Sequence, residues 1–193
     1  MTLRLVTKPA NLAVSLAEAK AHLRVDHSDD DVAIEGLIEA ATSHLDGRSG
    51  ILGRCMVSQT WSLDMAGFPP SSVIRIDLDP VLSITSITYF DRDNVSQTLP
   101  TSVYGGVYID AFGPYLSLKS GQSWPESYCR PDAVSVTFVT GFGDPAQVPP
   151  ALKQAMKLLI GHWYANRELS ISATLEMPFA VSALIAPFRR QLI

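Results

Sequence analysis

Residues 27–50, HSDDDVAIEGLIEAATSHLDGRSG, decide how the chain is built. Ile34, Leu37, Ile38, Ala41 and Leu45 recur at steps of three and four, which lines them up on one face of an α-helix. Ser28, Asp29, Asp30 and Asp31 put a hydroxyl and carboxylates at its start, where free backbone amides and the positive end of the helix dipole favour them. Gly47 and Gly50 supply the stop. A helix with one apolar face has to bury that face against another element. Just upstream, SLAEAKAHL over 15–23 sets Ser15 and Glu18 at capping-box spacing, with Leu16, Ala19 and Leu23 as the apolar side. That pattern predicts a short helix over about 16–23.

Past Gly53 the period falls from near 3.6 to 2. VSQTWSLDM, VIRIDLD, SITSITYFD, VYIDAFGPYLSLK and AVSVTFVTGF alternate apolar with polar or β-branched residues and read as five or more short antiparallel strands. GFPPSS, DRDNVSQ and SGQSWPESYCRPD between them carry turn and loop chemistry. The segment reads as a small β-sandwich or barrel of about 90 residues. Helix returns at VPPALKQAMKLLIGHWYANRE (148–168), opening on prolines that a first turn tolerates and carrying Leu152, Met156, Leu159 and Trp163 on one face. A polar interval, SISATLE (170–176), precedes a last short apolar helix broken near Pro187. The order is helices, strands, helices. The simplest way to bury the helical stripes packs the two flanking parts together and makes the β region an insertion. The expected fold class is therefore α+β: a small α-helical core domain with an inserted antiparallel β domain and a C-terminal helical segment. Its expected parts are N-terminal helices over 1–54, the β insertion over 55–145, a helix completing the core over 146–170 and an end segment over 171–193.

Composition narrows the function classes. At 193 residues and 47% hydrophobic content the chain can bury a substantial core. No uncharged run approaches the roughly 20 residues of a membrane span, and the start of the chain has no apolar stretch of signal-peptide length. A cytoplasmic site of synthesis is the expectation. Cys55 and Cys129 stand far apart in sequence with no C-x-x-C pairing, which suggests neither a disulfide framework nor a zinc site. The net charge of −4 disfavours a protein that grips nucleic acid, because such affinity rests on Lys and Arg neutralising phosphates. The charge is uneven: residues 1–54 carry −2, residues 55–148 carry −5 and residues 149–193 carry +3.

Candidate chemistry is sparse. His22, His27, His44 and His162 sit at none of the spacings typical of paired metal ligands. Asp26 with Asp29, Asp30 and Asp31 lacks the glycine and the distal Glu of a calcium loop, and helix capping already accounts for it. Asp77, Asp79, Asp91, Asp93 and Asp110 offer carboxylates for glycoside hydrolysis, but such residues are commoner in turns and on solvated strand faces. No G-x-S-x-G elbow, Walker loop or G-x-G-x-x-G follows a strand. No catalytic residue, metal or cofactor is expected. Trp61, Tyr89, Phe90, Tyr104, Tyr108 and Trp124 would suit a carbohydrate or base-stacking platform, although aromatics in a small β domain usually pack across strands. Trp124, in the loop GQSWP (121–125), is either an interface anchor or a pin holding that loop to its own domain.

Taken together, SLAEAKAHLRVDHSDDDVAIEGLIEAATSHLDGRSG, QTWSLDM, IRIDLDPVLSITSITYFD, GQSWP, DAVSVTFVTGFGD, VPPALKQAMKLLIGHWYANRE and the closing PFAVSALIAPFRR resemble, in their combination and order, the head-tail connector (adaptor) family of tailed phages, prophages and phage-derived gene transfer agents. The resemblance implies a virion structural protein and not an enzyme. It implies a ring, commonly of twelve copies, between the portal and the next tail-proximal connector or stopper protein. Double-stranded DNA would pass through the lumen without sequence-specific binding, and no membrane partner is implied. The likeness also places a portal-docking element at the C-terminal end, where Phe179, Leu184, Ile185 and Phe188 combine with Arg189 and Arg190. The alternatives are a hydrolase or carbohydrate-binding module built on the β region, another tail-completion ring protein, and, for the end segment, a final helix folded onto its own domain.

Overall fold

The computed structural model describes residues 1–166 and 179–190. The fold is α+β and divides into two compact units. One holds Met1–Pro9 and Ser58–Gly141, the other Ala10–Val57 with the described residues from Phe142 onward.

In the helical unit, α1 spans Leu16–Leu23 and α2 spans Asp31–Leu45. The capping box forms as its spacing predicts: the Glu18 amide donates to Ser15 Oγ at 3.2 Å and the Ser15 amide to Glu18 Oε2 at 2.9 Å. Arg24, in the left-handed region, ends α1. At α2 the carboxylates take another role. Asp30 occupies the N-cap position without a side-chain capping bond. It accepts instead from the Tyr164 hydroxyl, while Asp31 pairs with Lys20 Nζ at 2.5 Å. Side chains brought in from other elements, an ammonium for Asp31 and a neutral phenol hydroxyl for Asp30, take these carboxylates, and a hydrogen bond to an ionised group is of the stronger kind.

Helix α2 buries Ile34, Ile38, Ala41 and Leu45, and helix α3 (Pro150–Ala165) buries Leu152, Ala155, Met156, Leu159 and Ile160. These side chains share one core with Val14, Leu52, Val181 and Ile185, the last two from the short helix α4 (Phe179–Ile185). At about 1.5–3 kcal/mol for each large aliphatic side chain removed from water, that shared core is what holds the four helices.

The β unit contains two antiparallel sheets. The five-stranded sheet has the order β1-β2-β8-β4-β5, with β1 at Thr2–Thr7, β2 at Gln59–Met65, β4 at Val81–Phe90, β5 at Ser96–Thr98 and β8 at Val134–Thr140. The three-stranded sheet runs β3-β7-β6, with β3 at Val73–Arg75, β6 at Tyr104–Asp110 and β7 at Gly113–Leu118. Strand β8 shows why period 2 was visible: Val134, Val136, Phe138 and Thr140 are buried and alternate with half-buried residues. In register, Trp61 and Ile84 flank Phe138 from the two neighbouring strands.

The first residues depart from expectation. They do not join the N-terminal helices but form β1, paired from Thr2 opposite Asp64 to Thr7 opposite Thr60. A six-residue strand is held by its partner, some sixty positions away, so nothing near it in sequence announces it.

Candidate interaction surfaces

Two of the carboxylates weighed as catalytic, Asp91 and Asp110, hold turns. Asp91 Oδ1 accepts from the amides of Asp93 and Val95 at 3.0 Å, and its Oδ2 from Gln97 Nε2 at 2.8 Å. The bond from the Val95 amide is the chief reason its pKa lies below the ordinary value. Asp110 receives a guanidinium fork from Arg75 at 3.0 and 2.9 Å, and that hydrogen-bonded pair lowers the carboxyl pKa and raises that of the arginine. Among the histidines, His44 stands edge-on to Trp163 at 5.9 Å, and His27 lies 4.0 Å from Asp29.

The aromatic platform does not assemble either. Tyr104 is buried, Trp61 Nε1 donates to Gln59 Oε1 at 3.0 Å, and Arg130 sits 3.9 Å over the Phe90 ring. Tyr89 meets Phe68 edge-on, while Tyr108 tilts against Tyr115. Trp124 stacks flat on Phe68 at 5.1 Å, with its Nε1 donating to the Ser71 carbonyl at 2.8 Å. Both the ring and its polar handle are thus engaged inside the β unit, and the loop 121–125 is pinned to its own domain.

In the end segment, α4 is followed by a 3-10 turn over Ala186–Phe188. Of the six side chains singled out there, Ile185 is fully buried in the helical core, and Leu184 and Phe188 pack partly against that core. Phe188 also meets Phe142 edge-on at 6.4 Å. Arg190 is half-buried, its amide donating to the Leu52 carbonyl at 2.9 Å. Phe179 and Arg189 are exposed, Phe179 to 88%. The described part of the segment is therefore a helix and turn folded onto its own unit, and of the six side chains only Phe179 and Arg189 are presented outward. The polar interval 170–176, Pro178 and the last three residues lie outside the described residues.

One exposed feature escaped the sequence reading. The β6–β7 hairpin carries Tyr108, Ile109 and Phe112 in the open, Ile109 to 75% and Phe112 to 64%. Asp110 braces it, taking the Phe112 amide at 2.8 Å as well as the Arg75 fork, and the same guanidinium lies 5.2 Å over Phe112. Beside the hairpin, a groove of about 520 Å³ runs between β4 and β6, lined by Val81, Leu82, Ile84, Val107 and Ile109. A phenylalanine at the tip of a tight turn (DAFG, 110–113) was the available signal.

The family model for phage gp6-like head-tail connector proteins matches residues 13–103. The full chain is similar to a protein in the neck of an empty gene transfer agent particle computed with C6 symmetry, with a TM-score of 0.80 and 25% identity over 100% of this chain and 97% of that one. Over residues 13–103 the chain is similar to the head-tail connector family. A protein in the virion of a native gene transfer agent particle is similar at 25% identity with a TM-score of 0.79, again over 100% of this chain and 97% of that chain. A third, in a native gene transfer agent neck computed with C12 symmetry, shares the fold at a TM-score of 0.73 and 21% identity over the same shares of the two chains. No curated protein matches the chain.

Proposed function

We propose that this chain is a head-tail connector that assembles as a ring beneath the portal of a DNA-packaging particle, joins the filled head to the next tail-proximal protein and lets double-stranded DNA pass through its lumen. The observation that carries the reading is the likeness along the whole chain to a protein in a gene transfer agent neck. That particle's neck was computed with six-fold symmetry, which repeats each of its chains around an axis; twelve copies of the present chain is the expectation that the family resemblance supplies. The excess of acidic over basic residues in 55–148 suits a wall that DNA slides past, since every Lys or Arg on a phosphate adds salt-dependent affinity.

The contact with the portal is assigned to the end segment, with Phe179 as its apolar anchor. An exposed aromatic that meets a pocket on a partner is the kind of residue on which binding energy concentrates. Because Val181 and Ile185 belong to the helical core, deleting the segment would test folding and docking together. A point change at the exposed position separates them. Phe179→Asp is expected to leave a folded, soluble chain that no longer joins portal-bearing heads, so that electron micrographs show DNA-filled heads without tails. Normal tailed particles from this variant would remove the docking assignment. Absence of the wild-type chain from the neck of purified particles would remove the connector reading itself.

A further inference from the structure

The helical unit carries exposed acidic residues along α2 and exposed basic residues at the loop beyond its end. Near the start of the helix lies a groove of about 340 Å³, whose lining includes Leu12, Leu16 and Ile38 with Glu35 and Glu39 beside them. Both glutamates are exposed, and neither meets a cation among the described residues. At a spacing of four they are neighbours on the helix surface, where like charges destabilise. They lie beyond the first turn, so the helix dipole does not account for them.

After α2 the chain closes a loop in which the Gly47 amide donates to the Arg54 carbonyl at 2.8 Å. This loop holds the exposed Arg48. The bond from the Arg190 amide to Leu52 brings the end of the 3-10 turn, and with it the exposed Arg189, to the same loop. Neither Arg48 nor Arg189 meets a carboxylate among the described residues. At 1.5 Å per residue, Glu39 and Glu35 stand about 9 and 15 Å along the helix from Leu45, and among the described residues no ion pair joins the two charge sets.

We propose that these are the two halves of the contact between neighbouring copies: the corner bearing Arg48 and Arg189 seats on the groove flanked by Glu35 and Glu39 of the next copy. The proposal rests on the ring reading above. A closed ring needs each copy to present two different, complementary surfaces. Acidic residues along α2 and basic residues at the loop beyond its end meet that need and penalise pairing of like surfaces. Phe179, at the other end of α4, is left to the portal. Exposed ion pairs are individually weak and screened by salt, so a single contact would not hold two free subunits together, whereas a ring closed on a templating portal adds many such contacts.

The test is charge exchange in the full-length chain. Glu35→Arg with Glu39→Arg, and separately Arg48→Glu with Arg189→Glu, are expected to keep the wild-type circular dichroism and to abolish the ring in particles purified from producing cells. All four changes together are expected to restore it. Wild-type rings from either double variant, or a quadruple variant no better than the doubles, would overturn the proposal. Should the reversals unfold the chain, Glu39→Cys with Arg189→Cys in a Cys129→Ser background decides: assembled particles treated with a short bismaleimide give a ladder of linked copies if the contact exists and monomers alone if it does not. Rings in wild-type particles combined with monomers alone in the cross-linking sink this contact while leaving the connector reading intact.

Discussion

In the helical unit three polar contacts run between helices. Lys20 of α1 meets Asp31 at the start of α2, Lys153 of α3 meets Glu18 of α1 at 2.6 Å, and Tyr164 of α3 donates to Asp30. In the β unit most of them brace turns and hairpin ends: Asp91 closes its own turn, Arg130 forks onto Asp132 two residues away, and Arg75 reaches Asp110 at the tip of the β6–β7 hairpin. The difference follows from where backbone groups are already satisfied. Helices complete their hydrogen bonds internally and leave side chains to join one helix to another, whereas strands are joined by their ladders and leave side chains to shape the loops. One unit thereby builds a block; the other builds a frame that holds apolar residues such as Ile109 and Phe112 outward.

The comparison breaks most sharply at the cores. Phe138→Ala, at a fully buried position in β8, is expected to cost about 3–5 kcal/mol. Hydrogen exchange should show protection lost in the β unit and kept in α2 and α3; uniform loss would mean that the two units do not differ in this way. Ile185→Ala is expected to cost about 2–5 kcal/mol, read by denaturant unfolding, with exchange rising in α3 and α4 and little changed in β2 and β8. A cost near zero would detach α4 from the helical core.

Smaller effects sharpen the polar side of the contrast. Ser15→Ala removes half of the capping box and is expected to cost about 1 kcal/mol by chemical denaturation. The smallest effect belongs to Asp110, an exposed carboxylate whose pKa is lowered chiefly by its hydrogen bond to Arg75. A lowered folded-state pKa means that its contribution is present above the unfolded value and lost as pH falls through the folded one. The gap in melting temperature between the wild type and Asp110→Asn should therefore be constant near neutrality and narrow below about pH 4. A gap independent of pH would take the brace out of the stability of the hairpin.

What could be read from the sequence alone was whatever is encoded within a few residues: the stripe of α2, the capping box at Ser15, the period-2 alternation of β8 and the turn chemistry around Asp91. The α+β class follows from those, and the family resemblance followed from their order. The tertiary structure decided the rest. It moved the first residues into a sheet through pairing with β2, drew Asp30 and Asp31 from capping into contacts with Tyr164 and Lys20, pinned Trp124 on Phe68, and buried Ile185 while leaving Phe179 and Arg189 outside. Each of these outcomes depends on a partner that the chain brings close only after it folds. Periodicity tells which residues share a face, but which faces meet is set by packing between distant segments, and so the exposed residues available to a partner became visible only once the buried ones had been paired off.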